Sequence, residues 1–180
     1  MNVFVGCSSR EGRNNECYNK IAEDLANFIV EGKHNYVFGG CKTGLMGKIY
    51  SIVSQSPSSE IIIAITELYK SNLDDLSYSK VYTLNTVNER KNCLISLADI
   101  MFFLPGGIGT IDEILAAIEA KRSHEHNAPI IILNVNNYFK HLICMLNQIY
   151  DEGLADYENK KLYFVANSLD EAKTYLSKVF

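Results

Sequence analysis

Short apolar runs alternate with longer amphipathic runs along the whole chain. The short runs are rich in Val, Ile, Phe and Tyr, and they predict β-strands at 2–6, 35–40, 60–66, 80–85, 99–105, 128–135 and 161–167. The longer runs repeat apolar residues three and four positions apart, and they predict helices at 16–31, 44–54, 87–98, 110–122, 137–151 and 168–180. Ser168 is the expected N-cap of the last helix. The polar stretch 67–79 predicts a surface loop.

Several of these strands are apolar throughout, which is typical of a sheet covered by helices on both faces. The alternation of strands and helices predicts an α/β fold, a Rossmann-like, doubly wound, mostly parallel sheet, in a single domain over residues 1–180. Such sheets bind ligands at the carboxyl ends of their strands. Those ends carry polar or Gly-rich loops at 6–9, 38–44, 85–90 and 105–110. We therefore expect a nucleotide-sized ligand at this edge.

Composition limits the partners that the chain is expected to have. The net charge of −4 argues against a broad surface for nucleic acid or membranes. No segment reaches the roughly 20 apolar residues of a membrane span, and the first residues lack a signal-peptide pattern, so a cytoplasmic protein is expected. The five cysteines show no C-x-x-C spacing and the four histidines are scattered, so we expect free thiols and no metal site.

The segment LPGGIGTIDE, residues 104–113, has the residue types of a phosphate site. Gly106, Gly107 and Gly109 let the backbone approach a ligand closely, and a helix that begins at Thr110 would offer free amides to an anion. A tight strand-to-helix turn is the alternative interpretation of the glycines. Further candidate contacts to substrate or phosphate come from the other loops of the same edge: Ser8, Ser9, Gly40 and Gly44.

Glu113 has two interpretations. Thr110-x-x-Glu113 matches a capping box, in which the Glu side chain folds back onto the start of the helix. The apolar stripe of this helix is predicted to be Ile111, Ile114, Leu115 and Ile118. The opposite side, which carries Glu113, is predicted to comprise Ala116, Ala117 and Ala120. A carboxylate beside alanines favours burial in a homodimer interface near the site, where a dry environment would raise its pKa.

Two cationic residues lie in the first turns of the predicted helix at 87–98. Arg90 and Lys91 fall within or beside an apolar stripe that comprises Val87, Leu94, Ile95 and Ala98. At the first turns of a helix they oppose its dipole, and snorkelling accounts for only one of them. Their position next to a candidate phosphate loop favours anion binding. Arg90 is suited to hold a phosphate or carboxylate through two parallel hydrogen bonds.

The segments NERK at 88–91 and PGGIGTIDE at 105–113 together resemble the Lonely Guy family, formerly labelled as lysine decarboxylases. The family pattern is Glu-Arg-Lys at a helix start, followed by P-G-G-x-G-T-x-x-E. VFVGCSS, FGGCKTGLMG and APIIILNVNNYF resemble its other loops and its next strand. The resemblance covers the chain to about residue 151, and the chain length matches the short, dimeric members.

The resemblance implies hydrolysis of the N-glycosidic bond of a nucleoside 5′-monophosphate, of the AMP or cytokinin riboside type, to a free base and ribose 5-phosphate without a cofactor. It identifies Arg90 and Glu113 with the catalytic pair, and Gly107, Gly109 and Thr110 with the phosphate cradle. The chemistry agrees, because a carboxylate can stabilise an oxocarbenium-like transition state or activate water. Glu89 is a second candidate carboxylate, and an exposed acid at the helix start is its alternative interpretation.

The sequence departs from the family pattern at two positions. Cys41 stands where members usually carry a third Gly, and a small turn filler is its expected role. Ala120 stands where members that act on cytokinin precursors typically carry Trp, and the chain contains no Trp. Two alternative functions therefore stay open: a non-catalytic nucleotide or cofactor carrier or sensor of the same fold, and a glycosidase or ribosyl transferase for a pyrimidine or modified base.

Overall fold

The computed structural model describes residues 1–13 and 15–180, and within them seven strands form one sheet. The strands are β1 Asn2–Gly6, β2 Asn35–Phe38, β3 Ile61–Thr66, β4 Lys80–Leu84, β5 Ile100–Phe103, β6 Ile130–Leu133 and β7 Phe164–Ala166. Their order in the sheet is β4-β3-β2-β1-β5-β6-β7, and every neighbouring pair is parallel. The predicted α/β fold is confirmed, and the sheet is fully parallel.

Helices cover both faces of the sheet, as the apolar strands require. The helices are α1 Asn15–Glu31, α2 Gly44–Val53, α3 Val87–Leu97, α4 Ile108–Arg122, α5 Lys140–Asp151 and α6 Leu169–Leu176. Side chains of α1, α2 and α6 share one apolar cluster, and side chains of α3, α4 and α5 share the other. Strand residues alternate between the clusters: Val3 and Val5 belong to the first and Phe4 to the second.

The strand order changes direction beside β1, and this position places the loops of the site. The chain builds β1 to β4 outward on one side and then returns to place β5 on the other side of β1. Gly6 pairs with Phe103, so the loops that follow β1 and β5 leave the sheet side by side. The Ser8 amide donates to the Pro105 carbonyl over 3.1 Å, which joins the two loops. Ligands of α/β proteins bind at such a switch point.

Within the described residues three short 3₁₀ helices, Glu67–Leu73, Val135–Asn137 and Tyr157–Leu162, correct the predicted boundaries. The predicted loop at 67–79 contains a 3₁₀ helix, Glu67–Leu73, with no buried residue. The exposure of this segment was therefore predicted, but its 3₁₀ helix was not. The predicted helix at 137–151 begins at Lys140, because Asn136 and Asn137 take left-handed φ angles of 52° and 57°. The predicted strand at 161–167 shortens to Phe164–Ala166 behind a 3₁₀ helix at Tyr157–Leu162.

The predicted N-cap of the last helix is confirmed. The Ser168 hydroxyl accepts a hydrogen bond of 3.2 Å from the Glu171 amide. Among the described helices, none combines the length and the apolar character that crossing a bilayer requires.

Candidate functional site

Helix α4 begins two residues earlier than the sequence predicts. Its N-cap is Gly107, whose carbonyl accepts hydrogen bonds from the amides of Thr110 and Ile111 over 3.1 and 3.2 Å. Thr110 therefore lies inside the first turn, and the predicted capping box with Glu113 is wrong. Gly and Thr are both common N-caps, so the spacing alone does not distinguish the two positions. The Glu113 carboxyl is consequently not folded back on the helix start.

The inner face of α4 also differs from its predicted stripe. Its buried residues are Thr110, Glu113, Ile114, Ala117 and Ile118. Glu113 thus lies on the side of the sheet, whereas Leu115 is exposed. The predicted alanine face towards a second helix is wrong, since Ala117 is buried and Ala116 and Ala120 pack against the same apolar cluster. A cavity at the sheet edge provides space for the two polar side chains on the inner face.

Glu113 is held above the junction of β1 and β5. The residue keeps only 7% of its surface exposed. A Cβ at Gly6 would lie 2.8 Å from its Oε2 and 2.6 Å from the Phe103 ring, so the glycine provides the space that the carboxyl occupies. Burial raises the pKa of Glu113 to about 7, although the charge of Arg90 acts to lower it. This is the direction that the sequence predicts, and it brings the pKa of the carboxyl close to neutral pH.

Arg90 reaches the same cavity from α3. Its Nε donates to the carbonyl of Ala64 on β3 over 3.1 Å, which fixes the direction of the side chain. A Cβ at Gly39 would lie 2.0 Å from Nη2, so the glycine after β2 makes room for the guanidinium. In the described part of the chain no ion pair within 4.0 Å joins Arg90 to Glu113. Both side chains line the same cavity, and no ion pair between them blocks it.

This cavity, which we call the reaction cavity, has a volume of about 510 Å³. The predicted site residues that line it are Ser8, Ser9, Arg90, Gly107, Gly109, Thr110 and Glu113. An adjoining cavity of about 630 Å³ contains Gly44 and Gly106 and shares Ser8, Arg10 and Gly107 with the first. Arg10 lies between the two cavities and was missed by the sequence analysis, because a single Arg in a short polar loop gives no distinctive signal.

Two predicted contacts lie outside both cavities. Gly40 has a φ of 74°, and a Cβ there would lie 2.8 Å from Ile63, so its local role is to turn the chain after β2. The Lys91 ammonium lies 2.8 Å from both carboxylate oxygens of Asp112. Lys91 therefore connects α3 to α4 beside the site.

The start of α4 is open to the reaction cavity. A Cβ at Gly107 or at Gly109 would meet no atom within 4 Å, whereas the corresponding space at Gly106 is filled by the Thr110 hydroxyl. The first amides of a helix have no partner within the helix and favour an anion. The Tyr138 hydroxyl donates to the carbonyl of Gly106. Tyr138 was not among the predicted site residues, because the segment APIIILNVNNYF was its only signal in the sequence.

The remaining candidates take structural positions. Glu89 is an exposed acid at the start of α3, where its amide donates to the Thr86 hydroxyl over 3.1 Å and its carboxylate accepts from the Asn85 amide over 2.9 Å. The alternative interpretation of Glu89 is thus confirmed. Cys41 Sγ lies 3.2 Å from the Thr43 hydroxyl within the second loop, as a turn filler does. Burial raises the pKa of the Cys7 thiol well above its usual range.

Sequence comparisons find relatives of this chain among known proteins. A family model described as possible lysine decarboxylase matches residues 46–176. A cytokinin riboside 5′-monophosphate phosphoribohydrolase of Arabidopsis thaliana is 30% identical over 94% of this chain and 74% of its own length. A probable enzyme of the same name from Oryza sativa subsp. japonica is 28% identical over 98% of this chain and 76% of its own length.

A solved structure shares the fold at low sequence identity. The Moco carrier protein of Chlamydomonas reinhardtii superposes with a TM-score of 0.70 and is 16% identical, covering 98% of this chain and 95% of that protein. At this identity the likeness concerns the fold alone.

Proposed function

The chain belongs to the Lonely Guy family, whose model carries the description possible lysine decarboxylase, and we propose on this premise that it hydrolyses nucleoside 5′-monophosphates. The bond cleaved is the N-glycosidic bond of AMP or of a cytokinin riboside monophosphate, and the products are the free base and ribose 5-phosphate. The curated relatives carry this activity in their names. Decarboxylation of lysine is not part of the proposal; the ammonium of Lys91, which follows Arg90 on α3, is paired with Asp112.

The observation that carries the proposal is the state of Glu113. Its carboxyl is buried in the reaction cavity, and its pKa of about 7 suits a group that gains and loses a proton near neutral pH. Binding a phosphate requires no acid at this position, and a buried carboxylate would repel one. A carrier of nucleotides therefore has no use for Glu113 here, whereas a glycosidase has.

The proposed reaction uses Glu113 in its ionised form. The bond between C1′ and the base breaks, its electron pair leaves with the base, and positive charge develops on the ribose ring. The carboxylate stabilises this charge and accepts a proton from the water whose oxygen bonds to C1′. The proton lost from water is balanced by the proton that the released base gains.

Arg90 and the start of α4 position the substrate. The guanidinium is fixed by Ala64 and faces the cavity, where it holds the phosphate or ribose side of the nucleotide. The amides around Gly107 and Gly109, with the Thr110 side chain, receive the 5′-phosphate. Ser8 and Ser9 contribute further polar contacts from the loop after β1. Binding at the phosphate then places C1′ beside the carboxyl.

A homodimer with the site near its interface is part of the proposal. Ile108 is 88% exposed, Val87 is 55% exposed and Leu115 is 43% exposed. Val87 lies one helical turn before Lys91 on α3, and Ile108 and Leu115 lie within about one turn of Asp112 on α4, so exposed apolar side chains flank the ion pair that joins the two helices. Light scattering tests this point, and a monomer at micromolar concentration would contradict it.

The test of the activity is incubation with AMP, CMP and an isoprenylated AMP, with chromatography for the free base. We expect base release from at least one of them, and a loss of roughly 10²- to 10⁴-fold in Glu113→Gln, since that is the usual contribution of an acid or base. Glu125→Gln makes the same change at an exposed site and should retain full activity. Release from CMP alone would favour the pyrimidine alternative. Tight binding without cleavage would favour the carrier.

A further inference from the structure

Three consecutive carbonyl groups in the loop between β5 and α4 accept hydrogen bonds, two of them from donors elsewhere in the fold and the third from the first turn of α4. The pairs are Pro105 with the Ser8 amide, Gly106 with the Tyr138 hydroxyl, and Gly107 with the amides of Thr110 and Ile111. Each carbonyl belongs to the peptide group whose N–H is carried by the next residue. The loop is therefore anchored through its acceptors, and within the described residues no hydrogen bond from the Gly106 or Gly107 amide competes with an incoming ligand.

Because the peptide group is planar, a hydrogen bond that fixes a carbonyl also fixes the direction of the N–H in the same peptide. A trans peptide is planar, and its N–H points opposite to its own carbonyl. The described chain contains no cis peptide bond. Fixing the three carbonyls therefore turns the amides of Gly106, Gly107 and Ile108 away from the anchoring donors. Gly107 and Ile108 line the reaction cavity that also contains Glu113.

Only one of the three anchors is a side chain. The Tyr138 ring packs edge-to-face against Tyr18, with 5.9 Å between ring centroids, and against Phe139, with 4.9 Å. The left-handed residues Asn136 and Asn137 turn the chain immediately before it, so that its hydroxyl reaches the loop. The other two anchors are backbone amides, which substitution does not remove. Removing one oxygen atom, that of the Tyr138 hydroxyl, would therefore remove one of the three anchors of the loop.

We propose that Tyr138 is a positioning residue for the 5′-phosphate of the substrate. Its hydroxyl holds the peptide between Gly106 and Gly107, and this presents the Gly107 amide to the phosphate before the ligand arrives. A donor that is already oriented binds an anion without a further loss of conformational freedom. Both residues of this peptide are glycines, so without the hydroxyl bond the peptide is free to rotate. The inference rests on the proposed phosphate site and adds a residue from outside the loop.

The decisive variant is Tyr138→Phe, which keeps the ring and removes the hydroxyl. Its matched control is Tyr18→Phe, which changes the other ring of the same edge-to-face pair, whose hydroxyl is not among the donors to the loop. With AMP we expect Tyr138→Phe to lower kcat/KM roughly three- to tenfold, as the loss of one hydrogen bond predicts. With adenosine, which lacks the phosphate, it should leave the rate unchanged. The control should leave both rates unchanged.

The ratio of the two substrates separates positioning from a general structural defect. A distorted fold would lower cleavage of AMP and adenosine together, and that result would overturn the proposal. Calorimetry with ribose 5-phosphate and with ribose gives a readout that needs no turnover. We expect Tyr138→Phe to weaken ribose 5-phosphate three- to tenfold and to leave ribose unchanged.

The two proposals fail in distinguishable ways. If the wild type cleaves no nucleotide but Tyr138→Phe still binds ribose 5-phosphate less tightly, the hydrolysis is wrong and the role of Tyr138 is supported. If the wild type cleaves AMP and Tyr138→Phe has unchanged affinity for ribose 5-phosphate, the role of Tyr138 is wrong and the hydrolysis is unaffected.

Discussion

Replacing Glu113 with Gln should make the protein more stable above neutral pH, although it removes the proposed catalytic group. Burial raises the pKa of Glu113 from 4.5 to about 7. Below pH 4.5 the folded and unfolded states both carry the proton. Between pH 4.5 and 7 the unfolded state loses it first, so stability falls as the pH rises. The difference of about 2.5 pKa units corresponds to roughly 3 kcal/mol at pH 8, at 1.36 kcal/mol per unit.

The measurement is urea unfolding of the wild type and of Glu113→Gln at pH 4.5 and pH 8. Gln carries no charge at either pH, so the variant should gain roughly 3 kcal/mol over the wild type between the two conditions. Glu125→Gln makes the same substitution at an exposed site, and its free energy of unfolding should follow the wild type within about 0.5 kcal/mol. If Glu113→Gln and the wild type show the same pH dependence, the carboxyl is not desolvated as described.

The same geometry gives three further predictions. Gly39→Ala would place a Cβ 2.0 Å from Arg90 Nη2 and displace the guanidinium, so kcat/KM should fall about 10²-fold. Gly12→Ala adds a Cβ in open space and should have no effect. Equal activities of the two variants would contradict this prediction. Arg90→Gln removes a charge that lowers the pKa of Glu113, so the limb of kcat/KM that rises near pH 7 should move to higher pH, and an unmoved limb would disprove the coupling. Gly40→Ala imposes a side chain on a φ of 74°, and urea unfolding should show a loss of about 1–3 kcal/mol.

The sheet could be predicted from the sequence because its signal is local and repeated. An apolar run of strand length indicates a strand that is buried on both faces, and helices between successive strands indicate that the sheet is parallel. The errors fall where local spacing permits two solutions. Asn136 and Asn137 fit the start of a helix by position, yet both adopt left-handed angles and delay α5 to Lys140.

The candidate site was predictable in its residues and not in its orientation. Gly107 and Glu113 are apparent from the motif, but the motif does not say which residue caps α4. The identity of this N-cap decides whether the Glu113 carboxyl folds back onto the helix start or lies free in a cavity. The roles of Gly6 and Gly39 were hidden for another reason. Each makes space for a side chain more than fifty residues away in the sequence, and no single-sequence pattern reports such a contact.

The central position of β1 has a consequence for how the protein is made. During synthesis β1 to β4 emerge before Ile100, where β5 begins, so β1 pairs with β2 on one side and at first has an open edge on the side that β5 later fills. Open apolar edges pair readily with other chains. The nascent chain therefore needs its later half to protect its earliest strand. Glu113 lies on α4, which follows β5 directly in the sequence, so the part of the chain that shields β1 also brings the carboxyl that lines the cavity.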